Sequence, residues 1–156
     1  MPVFDFLKKK DNTISMPIKG MCLDISECKD KTFSDKLMGD GFMVKPEGDV
    51  ICSPCDGELT MIFPTKHAFG LKMSNGTEVL VHIGIDTVNL NGQYFEILTS
   101  VNKKVKKGTP IIKCDMDKIK ESGYDSSVLV IVTGKQDVKK KHLNEMMNVG
   151  DIIIEG

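Results

Sequence analysis

The chain reads as an all-β protein: an antiparallel β-sandwich or barrel-like arrangement, partly duplicated, with one or two short helical turns. Three observations predict it. Short apolar runs recur along most of the sequence. They are separated by Gly, Pro, Asn and Asp, the residues that make turns. Almost nothing in between carries a helical period, and many short strands at such spacing pack as a sandwich or barrel.

Taken in order, Met1 to Lys10 places Val3, Phe4, Phe6 and Leu7 ahead of three lysines. If helical, such a segment could touch an anionic membrane surface peripherally. As a terminus it is expected to be mobile, and residues 1–15 are read as a flexible lead. Residues 16–156 are read as one domain, long enough to bury a core. Strands are expected at Gly41–Pro46, Asp49–Pro54, Gly57–Phe63, Pro110–Cys114, Val128–Val132 and Asp151–Ile154. Met116 to Ser122 reads as a helix, with Asp115 as N-cap and Gly123 just past its end. Val105-Lys106-Lys107-Gly108-Thr109-Pro110-Ile111 echoes Val44-Lys45-Pro46-Glu47-Gly48-Asp49-Val50, a hint of internal duplication.

Composition narrows the function. The net charge is −1 and all 21 basic side chains are lysine. That balance argues against nucleic-acid binding, and no guanidinium is present to clamp a phosphate. With no secretory signal, no run long enough to cross a bilayer and five cysteines, a cytoplasmic location with reduced thiols is expected. Cys52-Ser53-Pro54-Cys55 has redox or half-zinc spacing, but no second pair follows and the surroundings read as strand and turn.

The chemistry points to one hairpin. Asn75-Gly76 lies between two alternating runs, a strong signal for a two-residue turn. On that register Phe69 faces His82 and His67 faces Gly84. His67 and His82 then share a face as diagonal neighbours roughly 7 Å apart. Phe69, Leu71, Leu80, Asp86 and Val88 surround them, and Val79, Val81, Ile83, Ile85, Ala68 and Gly70 fall on the other face, which reads as core. An odd-length loop would separate the two histidines. A neutral imidazole can be a nucleophile, a proton carrier or a metal ligand, and the Thr65 hydroxyl could fix the tautomer of His67. As a phosphoryl acceptor His82 would attack in line while His67 steadied the equatorial oxygens. Zinc hydrolysis lacks a third ligand: His82-x-x-x-Asp86 is present but no H-x-H. A swinging-arm lysine carrier fails because Lys72 is not at the hairpin tip. The remaining histidine, His142, follows three lysines and is expected in solvent.

These residues resemble the glucose-family IIA component of the bacterial phosphoenolpyruvate:sugar phosphotransferase system. The matching stretches are Gly39-Asp40-Gly41, Pro54-x-Asp56-Gly57, Thr65-x-His67-Ala68-Phe69, Val81-His82-Ile83-Gly84-Ile85-Asp86-Thr87-Val88, Leu90-x-Gly92 and Val105-Lys106-x-Gly108. The resemblance implies a small antiparallel β-sandwich. It implies that His82 takes phosphate from the histidine-containing phosphocarrier protein and hands it to a cysteine of a IIB domain, while His67 stabilises the phosphoryl group and Thr65 orients the pair. Asp30 and Asp86 would rim the partner surface, with Phe33, Leu37, Met38, Phe63, Leu80 and Val88 forming its apolar part. Phe69, on the expected histidine face, is counted with them. A regulatory role, docking cytosolic proteins on the same face, is the alternative. No cofactor or intrinsic metal site is expected; zinc could bind His67 and His82 with a partner's ligand. Lys31 and Thr32 depart from the apolar residues of the family, and Cys52 and Cys55 are also unusual. A free-standing soluble component is expected, with no IIB or IIC segment attached.

Overall fold

The computed structural model describes residues 11–156. Thirteen strands are found among them: β1 Ile14–Ser15, β2 Gly20–Asp24, β3 Gly39–Pro46, β4 Val50–Cys52, β5 Gly57–Ile62, β6 Ala68–Lys72, β7 Glu78–Ile83, β8 Phe95–Ile97, β9 Lys103–Val105, β10 Pro110–Cys114, β11 Val128–Thr133, β12 Glu145–Met147 and β13 Ile152–Ile154. Two short α-helices, α1 Lys31–Ser34 and α2 Met116–Glu121, and two 3-10 turns, Ile25–Glu27 and Thr87–Leu90, complete them. Eight strands form one sheet in the order β12-β2-β3-β11-β7-β6-β5-β9; β4-β10-β8 form a second, and β1-β13 a third. Every pairing is antiparallel. The all-β expectation therefore holds.

Both faces of the large sheet are covered, which explains the unbroken apolar run Val128-Leu129-Val130-Ile131-Val132 on its central strand. Alternate residues of β11 go to different cores. Val128, Val130 and Val132 join Phe42, Val44, Phe69, Leu71, Val81 and Ile83 in the main core, which also takes in Ile51, Ile111, Ile112 and Ile119. Leu129 and Ile131 join Met43, Ala68, Leu80, Ile25, Cys28 and Phe33 on the opposite side. Each large apolar side chain buried this way contributes roughly 1.5–3 kcal/mol.

The two echoing segments lead into β4 and β10, and these strands pair with one another. Asp115 caps α2 by accepting from the Lys118 amide at 3.1 Å, and Gly123 follows at φ 93°, as expected from the sequence. The lead segment needs correction. Ile14 and Ser15 are buried and pair with β13, the Ser15 amide donates to the Pro54 carbonyl at 2.7 Å, and Lys107 reaches Asp11 at 2.8 Å. An apolar side chain in the core and a strand partner for its backbone hold 11–15 in the domain. Residues 1–10 of the expected flexible lead lie outside the described residues.

Candidate functional site

The hairpin of β6 and β7 carries both histidines, but in a different register from the expected one. Ala68, not Phe69, faces His82; Phe69 faces Val81 and Leu71 faces Val79. The reason is the turn. Met73 pairs with Thr77, and the Gly76 amide donates back to the Met73 carbonyl at 3.0 Å. Gly76 has φ 87° while Asn75 has no positive φ, so a three-residue loop with one left-handed glycine replaces the two-residue turn. The one-residue slip exchanges the faces. Phe69 and Leu71 lie in the main core, and Phe69 is fully buried. Phe69 therefore cannot belong to a docking surface. Ala68 joins the histidine side instead.

The odd loop should also have separated the histidines, and it does not. Along a regular strand His67 would lie opposite Ile83, whose amide does donate to the His67 carbonyl at 2.7 Å. However, β6 begins only at Ala68, and Lys66 sits in the left-handed region at φ 63°. The alternation of faces ends there. The imidazoles of His67 and His82 come together with centroids 4.9 Å apart and planes at 83°. Thus two departures from regular geometry cancel: the hairpin loop moves one histidine to the other face, and the other, just outside β6, is not bound by the strand's alternation.

Each ring is hydrogen-bonded through its Nδ1. His82 Nδ1 lies 2.8 Å from the Gly84 carbonyl oxygen. A carbonyl can only accept, so Nδ1 carries the proton and Nε2 holds a free lone pair. His67 Nδ1 lies 2.8 Å from the Thr65 hydroxyl oxygen. Phe33 tilts against His82 at 4.9 Å, and Phe63 meets His67 edge-on at 5.4 Å. This apolar enclosure sets the charge state. Burial, aided by the neighbouring His67, pushes His82 down to about 4, outweighing the opposing influence of the Gly84 carbonyl and Asp30. Burial also lowers His67. Both imidazoles are consequently neutral near pH 7.

The remaining expected residues sort by depth. Leu37 is 72 % exposed, and Met38 and Val88 are also exposed. Phe63 is half-buried. Phe33 and Leu80 are buried, and form the floor of the site instead of standing out from it. Asp86 is exposed, with a left-handed backbone at the head of the second 3-10 turn. Asp30 is half-buried and caps α1, its carboxylate accepting from the Thr32 amide at 2.9 Å. That cap makes α1 start at Lys31 and so sets the Phe33 ring against His82. Lys31 and Thr32 point to solvent.

Facing His67 is the only role that the sequence register gives Gly84. Its carbonyl is in fact the partner of His82, and a Cβ on it would lie 2.4 Å from the Thr87 methyl. The H-x-G spacing directly after a strand was the available signal: glycine permits the φ of 76° that turns the carbonyl back. A hollow of about 800 Å³ lined by Lys29, Lys45, Ile85, Asp86 and Asp125 adjoins this loop but contains neither histidine. The five cysteines are free and buried, with Cys55 and Cys114 pushed up to about 12, chiefly by burial. Nothing there activates a thiolate. His142 is exposed, beside Glu145 at 3.2 Å.

Fold and site together define a class: antiparallel β-proteins that present two neutral imidazoles in an apolar surround, one of them held in a single tautomer by a backbone carbonyl. Comparison with known proteins agrees. Residues 12–138 match the family model described as phosphoenolpyruvate-dependent sugar phosphotransferase system, EIIA 1. A glucoside-specific EIICBA component of Staphylococcus carnosus is 43 % identical over 135 residues, 85 % of this chain and 20 % of that protein. The chain thus spans about a fifth of the length of this relative. A glucose-specific EIIA component of Staphylococcus epidermidis is 37 % identical over 150 residues, 94 % of this chain and 90 % of that one. The solved structure of glucose permease IIA from Mycoplasma capricolum superposes with a TM-score of 0.83 at 29 % identity, covering 99 % and 98 % of the two chains. The chain belongs to the EIIA 1 family of the phosphoenolpyruvate-dependent sugar phosphotransferase system. Among the described residues, no helix is long and apolar enough to cross a membrane.

Proposed function

We propose that this chain is a phosphoryl carrier in a sugar-uptake relay, with His82 Nε2 as the atom that carries the phosphoryl group. The observation that supports it best is the 2.8 Å contact of His82 Nδ1 with the Gly84 carbonyl, which leaves the lone pair on Nε2. The donor is the phosphohistidine of the histidine-containing phosphocarrier protein. Nε2 attacks phosphorus in line, the phosphorus–nitrogen bond of the donor breaks, and the donor imidazole keeps the electron pair. In the second step a cysteine thiolate of a IIB domain attacks the same phosphorus, and His82 recovers its lone pair. Transfers of this kind depend on positioning and charge stabilisation. His67 serves the second need in the tautomer in which the Thr65 hydroxyl donates to its Nδ1, where Nε2–H is free to donate to a phosphoryl oxygen. The apolar surround keeps water from the labile intermediate.

In a reconstituted relay the wild-type protein takes up an acid-labile phosphoryl group that maps to His82. His82→Gln takes up none, whereas His67→Gln accepts phosphate but passes it on poorly. Labelling of His82→Gln by the phosphorylated carrier protein would refute the assignment.

The exposed side chains favour a second role for the same face. Leu37 and Met38 follow the helix whose Phe33 touches His82, and Val88 follows the His82 loop. Such a surface suits docking of regulated cytosolic proteins, and a phosphoryl group of roughly two negative charges would weaken it. Pull-downs with phosphorylated and unphosphorylated protein distinguish this role. Zinc needs about four ligands, and no group of three metal-ligating side chains occurs among the described residues. His67 and His82 would hold the ion only with a docked partner completing the set.

A further inference from the structure

We infer that Thr87 is a positioning residue for His82: its hydroxyl clamps the loop that presents the Gly84 carbonyl, and so determines which nitrogen of His82 is nucleophilic. The inference rests on the carrier reading above and extends it to a residue that touches neither the phosphoryl group nor the imidazole.

The loop after β7 must turn its backbone sharply to bring the Gly84 carbonyl back to His82. Its peptide groups are pinned in sequence. The Ile83 amide donates to the His67 carbonyl at 2.7 Å, the Gly84 amide to the Ser127 carbonyl at 2.8 Å, and the Ile85 amide to the Asp125 carbonyl at 2.9 Å. The carbonyl of Ile83 belongs to the same peptide plane as the Gly84 amide, and it accepts from the Thr87 hydroxyl. Thr87 is fully buried, although it is polar and lies at the start of an otherwise exposed turn. All the other pins are backbone to backbone; Thr87 is the one side chain in the set. Its methyl fills the place where a Gly84 Cβ would be, 2.4 Å away. The hydroxyl therefore fixes one end of the Gly84 residue, and the His82 contact depends on the other.

Removing the hydroxyl leaves the Ile83 carbonyl buried without this donor, and leaves that peptide held only through the Gly84 amide's bond to the Ser127 carbonyl. The next peptide, which carries the Gly84 carbonyl, is then steadied only by the Ile85 amide, so the carbonyl's aim at His82 loosens and the single tautomer with it. Thr87→Val keeps the shape and removes the donor; Thr87→Ser keeps the donor and removes the methyl. Nitrogen NMR of the two imidazoles reads the tautomer directly and requires no phosphoryl donor. We expect His82 to be a single Nδ1–H tautomer in the wild type and in Thr87→Ser, and a mixture in Thr87→Val. The rate of phosphoryl uptake should fall roughly three- to tenfold in Thr87→Val, the factor one neutral hydrogen bond carries, and return in Thr87→Ser. A single Nδ1–H tautomer with wild-type rate in Thr87→Val would overturn the inference. Should that variant not fold, the wild-type hydroxyl is read instead: a slowly exchanging proton resonance coupled to the Ile83 carbonyl is expected, and rapid exchange would overturn it. If the wild type accepts no phosphoryl group, the carrier reading fails, while the tautomer comparison still decides the role of Thr87.

Discussion

His82 combines two demands that pull against each other. A nucleophilic imidazole must be neutral, and burial achieves that by disfavouring the charged form, lowering its pKa from the ordinary 6.5 to about 4. The same burial ties folding to pH. Between about 4 and 6.5 the unfolded chain protonates this histidine and the folded chain does not. The unfolded state binds more protons in that window, so stability rises with pH through it and is lost as pH falls from 6.5 toward 4. The lowered pKa of His67 acts in the same direction. For His82 alone the loss is on the order of 3 kcal/mol. Carboxylates held low by their partners act below this window. Asp11 is lowered to about 2, mainly by the Lys107 hydrogen bond, so its contribution disappears only under more acidic conditions. Urea midpoints measured every half unit from pH 7 to pH 4.5 should fall steadily, with a shallower slope for His82→Gln. A flat profile in the wild type would mean that the imidazole is not buried as described.

Among the elements, the strands were readable wherever an apolar run met a turn residue, as at Gly57–Ile62 and Pro110–Cys114. Helix α2 was readable through its Asp115 cap. Helix α1 was missed because a single turn has no period to detect; only Asp30 and the Thr32 amide mark it. Register was the real failure. Asn-Gly admits both a two-residue and a three-residue loop, and the difference is one backbone angle at Asn75. The convergence of the histidines was reached from that wrong register, because the end of strand alternation before Ala68 leaves no signature in the residue types. A left-handed lysine carries a cost of roughly 1–2 kcal/mol that glycine avoids and a β-branched residue increases. Lys66→Gly should therefore be more stable than Lys66→Val by about 1 kcal/mol or more in urea unfolding. Lys66→Gly should also keep the contact between the His67 and His82 rings. Equal stability of the two variants would show that residue 66 does not hold the left-handed backbone described.

Across the whole molecule, one buried ion pair ties the C-terminal part of the chain to the central sheet. Lys140 stands in a run of three lysines, which by composition is a solvated stretch. Its side chain is nonetheless only 7 % exposed. It contacts the Asp24 carboxylate, reaches Asp40 at 2.5 Å and donates to the Gly41 carbonyl at 3.0 Å. Asp40 is 1 % exposed and also accepts from the Gly41 and Val138 amides, both at 2.8 Å. Burial alone would raise the Asp40 pKa, but these donors outweigh it and hold the carboxyl below its usual range. The cluster joins β2, β3 and the segment after β11, elements far apart in sequence. A buried pair of this kind is costly to break one partner at a time, since Asp40 then keeps as its cationic partner only the Lys36 ammonium, at the longer distance of 3.5 Å. Lys140→Met should lower stability by about 3 kcal/mol or more. Asp40→Asn combined with Lys140→Met should recover part of that loss, because it removes the stranded charge as well. Lys139→Met, at an exposed neighbour, should change little. Denaturant midpoints of the four proteins measure the coupling. If Lys140→Met matched Lys139→Met, the lysine would be a surface residue and the tie between the C-terminal segment and the sheet would have to come from backbone hydrogen bonds alone.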